Sequence, residues 1–265
     1  MFLNGGENTL TAVSPFSGDA VITNSTNRGD IQDITIAIAA GTAGCEGSPE
    51  SAIIFDRDGV PILSDFFSQT WLRILGTTVR VTGDDPLCNA IVIQNDLVDA
   101  RATIVHNSIV EPKAYTDVGM LFFKLRMFDL GTNTNIGVGS STIGRPADGF
   151  SGTAVKFDQV DRGLIGIVII ENEDDEGDDV VGTGVLVVDS LEFTIKNNTI
   201  KGGDVGIQVG PATDGLITKN TIVGDGPDAP LANSVGICVD PSATVTIRKN
   251  NSVIGYVTPI DLECP

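Results

Sequence analysis

Four cations, Lys196, Lys219, Arg248 and Lys249, stand at or beside the same place in a short recurring motif. A row of such groups can neutralise the anions of a ligand, and a lysine or arginine stripped of its proton can serve as a base. A second cluster is acidic: Glu171-Asn172-Glu173-Asp174-Asp175-Glu176-Gly177-Asp178-Asp179. Calcium takes about six to eight oxygen ligands from a flexible loop, so Glu173, Asp174, Asp175, Glu176, Asp178 and Asp179 are the metal candidates and Ca²⁺ the candidate ion. The run lacks a regular D-x-D-x-D-G spacing, and a solvated loop is the plainer reading of it. Asp56-Arg57-Asp58-Gly59 is a shorter fragment of the same kind and reads as a turn.

Other chemistries find no residues. His106 is the single histidine, and no Ser/His/Asp or Cys/His set or glycine-rich phosphate loop is visible. The four cysteines, Cys45, Cys88, Cys238 and Cys264, include no CxxC pair, which argues against zinc. Pairing by sequence proximity gives Cys45–Cys88 and Cys238–Cys264; the other reading is four small buried or half-buried thiols. The formal charge of −19 repels a phosphate backbone, so nucleic acid is not an expected partner.

The elements that position these residues come from a repeat. One signal is Gly followed by alternating apolar residues, starting at Gly152, Gly184, Gly206 and Gly236, with separations of 32, 22 and 30. The other places an Asn after Ile-x-x, at Asn172, Asn198, Asn220 and Asn250, with separations of 26, 22 and 30. Two signals advancing in step indicate stacked turns of chain. In Gly206-Ile207-Gln208-Val209, alternation sends Ile207 and Val209 inward and Gln208 outward, while the Gly takes an unusual dihedral at the corner. In Ile195-Lys196-Asn197-Asn198-Thr199-Ile200 an Asn occupies the bend, where it tolerates left-handed backbone and can bond to the Asn one turn away. Asn172, Asn198, Asn220 and Asn250 are therefore the expected structural ladder.

Composition agrees. Val, Ile and Thr supply 80 of 265 residues and Gly 31, the content of many short strands and tight turns. No stretch reaches the ~20 apolar residues of a bilayer span. Met1-Phe2-Leu3-Asn4-Gly5-Gly6-Glu7 shows neither a basic n-region nor a long apolar h-region, so no signal peptide is visible. Residues 1–76 are β-rich without the repeat and read as an N-terminal cap. Within it, apolar residues at 67, 71, 74 and 75, a cap at Ser64 or Asp65 and a stop at Gly76 predict a short helix over 64–76.

The paired motifs over 152–262, extending back to about Thr77, resemble the right-handed parallel β-helix proteins of the pectin-lyase-like superfamily. The resemblance implies an all-β fold, a right-handed parallel β-helix (β-solenoid) of about 7–9 rungs over 77–265, behind the cap. It also implies two functional readings. The first is a non-catalytic structural or surface-displayed protein, extracellular or on a spore, cell or virion, binding carbohydrate or self-associating, with a trimer among the options. The second is a calcium-dependent polysaccharide lyase on acidic polysaccharide, in which Lys196, Lys219, Arg248 or Lys249 neutralises the uronate carboxylate and removes the neighbouring proton. The outward column Ala154, Leu186, Gln208 and Cys238 is mostly apolar or small and needs a cover. The tail Thr258–Pro265 can supply it by folding back, bringing Cys264 to Cys238, or another copy of the chain can pack against it.

Overall fold

A computed structural model describes residues 2–12, 20–24, 28–38, 51–56, 70–81, 87–94, 100–106, 108–110, 115–125, 135–144, 152–172, 182–224 and 233–264. Among these there is no helix, and the strands stack in parallel into three ladders. Ladder one stacks Thr70–Leu75, Ala100–His106, Asn135–Gly139, Gly163–Gly166, Phe193–Lys196, Asp214–Thr218 and Thr244–Ile247. Ladder two stacks Thr78–Val81, Ile109–Val110, Thr142–Gly144, Ile169–Asn172, Thr199–Gly202, Thr221–Val223 and Ser252–Ile254. Ladder three has nine strands: Ala20–Asn24, Ser51–Asp56, Leu87–Gln94, Tyr115–Phe123, Thr153–Asp158, Thr183–Val188, Val205–Val209, Val235–Val239 and Thr258–Asp261.

The chain visits ladder three, then one, then two, and returns one strand further along, which makes a parallel β-helix. Arg28–Ile38 is long enough to head both of the first two ladders, pairing with Thr70–Leu75 and then with Thr78–Val81. Phe2–Ala12 lies on its other side. Strands from the first 76 residues thus join all three ladders. The helix expected over 64–76 is corrected: Thr70–Leu75 is a strand, and 64–69 lie outside the described residues. The apolar run there fits either period, and pairing with Arg28–Gln32 and Ala100–His106 decides it. Ile74 is then fully buried between Ile31 and Val105.

Inward residues form columns through the core. Ile31, Ile74, Val105, Val138, Ile165, Ile195 and Ile217 follow one another in ladder one, all buried. Phe122 and Phe157 are register partners in ladder three, and their rings meet edge to face with centroids 4.9 Å apart. The Gly signal has a different cause from the one expected. Val155 pairs with Val185, so Ala154, not Gly152, shares the column of Gly184, Gly206 and Gly236. None of these three glycines has a positive φ. They are needed for space: a Cβ at Gly206 would lie 2.6 Å from the Gly236 carbonyl oxygen and 2.5 Å from Ile222 Cγ2.

The turn from ladder one to ladder two divides two jobs between two residues. Its first residue takes the left-handed backbone: Asp33, Gly76, Ser140, Ile167, Asn197 and Lys219 have φ of 51°, 58°, 49°, 61°, 57° and 58°. Its second is the register column Thr77, Ser108, Ser141, Val168, Asn198, Asn220 and Asn251. The Ser108 hydroxyl accepts the Thr77 N–H at 3.4 Å, and the Ser141 hydroxyl accepts the Ser108 N–H at 3.2 Å. Further along, Oδ1 of Asn198, Asn220 and Asn251 accepts the N–H of Val168, Asn198 and Asn220 at 2.9, 3.0 and 2.9 Å. The same amides donate Nδ2 to the carbonyls of Ile165, Ile195 and Ile217. Backbone groups that the turn removes from the ladders are thereby satisfied where water is scarce.

Two members of the expected ladder are corrected. Asn172 lies at the end of its strand opposite Gly202, four residues past the column position, which Val168 holds. Asn250 is exposed and accepts from the Lys219 N–H and the Thr218 hydroxyl, while its neighbour Asn251 continues the column. Asn220→Ala, which orphans the Asn198 N–H and the Ile195 carbonyl, should cost about 3 kcal/mol in urea unfolding, and Asn250→Ala about 1 kcal/mol or less. Ile167 holds a left-handed backbone while 61% exposed, a poor conformation for a β-branched residue. Ile167→Asn should therefore raise stability by about 1 kcal/mol in the same measurement.

Candidate functional site

The four candidate cations are exposed and come together at the ladder one–ladder two corner, in two files rather than one. Lys196 pairs with Thr218, and Ile217 with Ile247, so Arg248 follows Thr218. Lys219 stands one place on, in the left-handed column after Asn197. Lys196 and Arg248 are thus two turns apart, about 10 Å at the usual strand spacing, with the Thr218 hydroxyl bonded to Asn250 between them. The files carry positive charge along one edge. Sequence spacing brings the residues to the corner but not the offset of one, because Lys196 ends its strand whereas Lys219 follows the end of its own.

The metal candidates Glu173, Asp174, Asp175, Glu176, Asp178 and Asp179 lie outside the described residues. Among the described residues no group of three or more His, Cys, Asp or Glu side chains is placed to hold an ion. Glu171, at the head of the acidic run, faces Lys201 at 3.5 Å on adjacent turns of ladder two. His106 is half-buried in ladder one, and a Cβ added to its partner Gly139 would lie 3.2 Å from the ring.

Among the described residues, the strands of the last turn, Thr244–Ile247, Ser252–Ile254 and Thr258–Asp261, each have a neighbour on one side only. A hollow of about 380 Å³ sits there, lined by Ile247, Arg248, Lys249, Asn251, Val253, Ile260 and Leu262. Two of the four cations thus rim an apolar depression, a combination that spacing alone does not announce. Upstream, Ala243 closes a turn by donating to the Asp240 carbonyl. The Ser242 hydroxyl and N–H donate to the Asp240 carboxylate and hold its pKa below the ordinary value. That contribution is present above the unfolded-state pKa and is lost as pH falls through the folded one.

The outward column of ladder three also shifts by the two-residue offset. Lys156, rather than Ala154, shares it with Leu186, Gln208 and Cys238, and Ala154 is fully buried. The tail covers its end. Thr258–Asp261 pairs with Val235–Val239, and Cys264 is disulfide-bonded to Cys238 with Cα atoms 5.5 Å apart. Cys88 is disulfide-bonded too, and Cys45 lies outside the described residues. No protein-family model matches the chain, and neither the curated proteins nor the solved structures contain a significant match to it.

The disulfide closes a sequence separation of 26 residues, for which chain entropy gives about 3.5 kcal/mol. Cys264→Ser should raise amide hydrogen exchange in Thr258–Asp261 and leave the strands of the first turns protected. Uniform loss of protection along the coil would contradict this local role.

Proposed function

We propose that the chain is a non-catalytic structural β-helix module, displayed outside the cell or on a particle surface and related to the pectin-lyase-like proteins in architecture. The observation that carries this reading is the use made of its buried polar groups. Ser108, Ser141, Asn198 and Asn220 each accept an N–H of the preceding turn at the corner, so these buried polar side chains serve to keep register. Disulfide-bonded cysteines support an oxidising location.

One observation favours a second reading, an enzyme or binder of acidic polysaccharide: Lys196, Lys219, Arg248 and Lys249 share an exposed edge. The net charge of −19 opposes a polyanion at long range. At physiological ionic strength the screening length is about 8 Å, so the local edge governs close contact. In a lyase, one cation would neutralise the uronate carboxylate, a deprotonated lysine or arginine would take the adjacent ring proton, and the glycosidic oxygen would leave as the double bond forms. A calcium ion held by 173–179 would assist by binding the same carboxylate.

Incubation with pectate, alginate and hyaluronan, with and without Ca²⁺, distinguishes the two through the far-ultraviolet absorbance of the unsaturated product. The structural reading expects no rise on any polymer. A rise that Lys219→Ala or Arg248→Ala abolishes would establish the lyase instead.

A further inference from the structure

The stretches that make the repeat uneven, 173–181 and 225–232, both fall between a ladder two strand and a ladder three strand. From Gly163 to Ile247 the turns on either side of ladder one are never longer than four residues. Three outward columns cross the face between those turns. The first is Arg162, Glu192, Asp214 and Thr244; the second is Leu164, Thr194, Leu216 and Thr246; the third is Gly166, Lys196, Thr218 and Arg248. The face is flat at its upper turn. A Cβ on Gly166 would lie 3.6 Å from Leu164 Cδ1, so this leucine lies across the glycine instead of projecting.

Charge is divided between the two long edges of this face. Along the edge shared with ladder three, 158–162, 188–192, 210–214 and 240–244 carry Asp158, Asp161, Asp189, Glu192, Asp214 and Asp240, against one cation, Arg162. Arg162 Nε donates to Glu192 at 2.8 Å, and Lys156 of ladder three reaches Asp158 at 3.2 Å. Along the opposite edge, 166–168, 196–198, 218–220 and 248–251 carry Lys196, Lys219, Arg248 and Lys249 and no carboxylate. Among the described residues none of these four cations has a carboxylate partner.

We propose that ladder one is the interface of a dimer, in which a second copy of the chain lies face to face on it about a two-fold axis parallel to the coil. Such an axis exchanges the two edges and keeps every turn at its own level. Glu192 then faces Lys196 of the second copy. Asp214 falls between Lys196 and Arg248 of the second copy, which stand one turn to either side. Arg162 falls on Gly166, which has no side chain to obstruct it. The second column lies on the axis, so Leu164 and Leu216 meet their own counterparts. Leu191 and Ile167, 49% and 61% exposed at opposite edges one turn apart, come together.

The other arrangements fit the charges or the leucines less well. A two-fold axis running across the coil would set carboxylates on carboxylates and cations on cations. A three-fold ring would join unlike edges but leave the leucine column facing an empty centre. The −19 on each copy repels at long range, whereas the paired edges meet well inside the ~8 Å screening length of physiological salt. The proposal rests on the structural reading above but fails separately from it, because polysaccharide cleavage and pairing of copies have independent readouts.

Sedimentation equilibrium of the chain at physiological ionic strength tests it, and a monomer–dimer equilibrium is the expected result. Lys196→Glu and Glu192→Lys, both at exposed positions, each set like charges opposite one another twice in the dimer. Either should weaken it about tenfold or more, with a melting curve like that of the parent. The chain carrying both substitutions should regain most of the loss, because the pair reforms with its signs exchanged. Cross-linking is a second route. Thr194→Cys stands on the axis about 10 Å from its copy, so a bis-maleimide of that span should join two chains. Thr221→Cys, on the outward face of ladder two, and the parent should stay uncoupled. A parent that stays monomeric up to its solubility limit, a trimer, or a Lys196→Glu chain that associates like the parent would each overturn the ladder one dimer. So would a double variant as weak as the single ones, or Thr194→Cys coupling no better than Thr221→Cys.

Discussion

In a parallel coil no strand can be satisfied by its neighbour in sequence. The N–H of Asn198 finds its acceptor 22 residues on, and that of Val168 finds its acceptor 30 residues on. A slip of one residue turns every inward side chain out, and loops of unequal length do nothing to prevent it. The corner between ladders one and two supplies the constraint. There the backbone leaves one sheet and enters the next in two residues, and its amides need acceptors that neither sheet offers. The side chain of the next turn provides them, so the polar atom that satisfies the corner also fixes which residue lies above it.

This explains the chemistry of the column. Serine serves the early turns, where the hydroxyl accepts one N–H and donates its proton to a carbonyl two residues earlier, as Ser108 and Ser141 do; Thr77 makes the same donation to the Leu75 carbonyl. Asparagine serves the late turns, where a longer side chain accepts from one turn and donates to a carbonyl of the preceding strand. Val168 sits between the two kinds. It can only donate its N–H to Asn198 and offers no side-chain acceptor in return.

That valine also sets the limit of what could be read in the residues. The turns from Thr183 onward were legible because Gly and Asn recur there at matched separations of 22 and 30, and the outward Gln208 and inward Ile207 and Val209 follow from alternation. One turn earlier the asparagine is missing, and Asn172 stands nearby as a decoy; counting from it shifts the frame by four. Gly152 misleads similarly, because the true column member is Ala154 and the space next to it tolerates a methyl. Asn250 and Asn251 adjoin, so the motif cannot choose between them, whereas Ser252 pairing with Thr221 does. The cations were found because they ride on the same corner. Their division into two files was not, since it depends on whether a residue ends a strand or starts the turn.

A closed coil has no sheet edges along its sides; its edges lie at its two ends. An overall 35 acidic against 16 basic residues makes the long-range field between copies repulsive. At the last described turn the exposed apolar side chains Ile254, Val257, Ile260 and Leu262 stand beside charges of both signs, Arg248 and Lys249 with Asp261 and Glu263. The register that the corner column carries reaches this turn without a break: Asn251 still accepts the Asn220 N–H and returns its Nδ2 to the Ile217 carbonyl, although its surroundings are more open than those of Asn198 and Asn220.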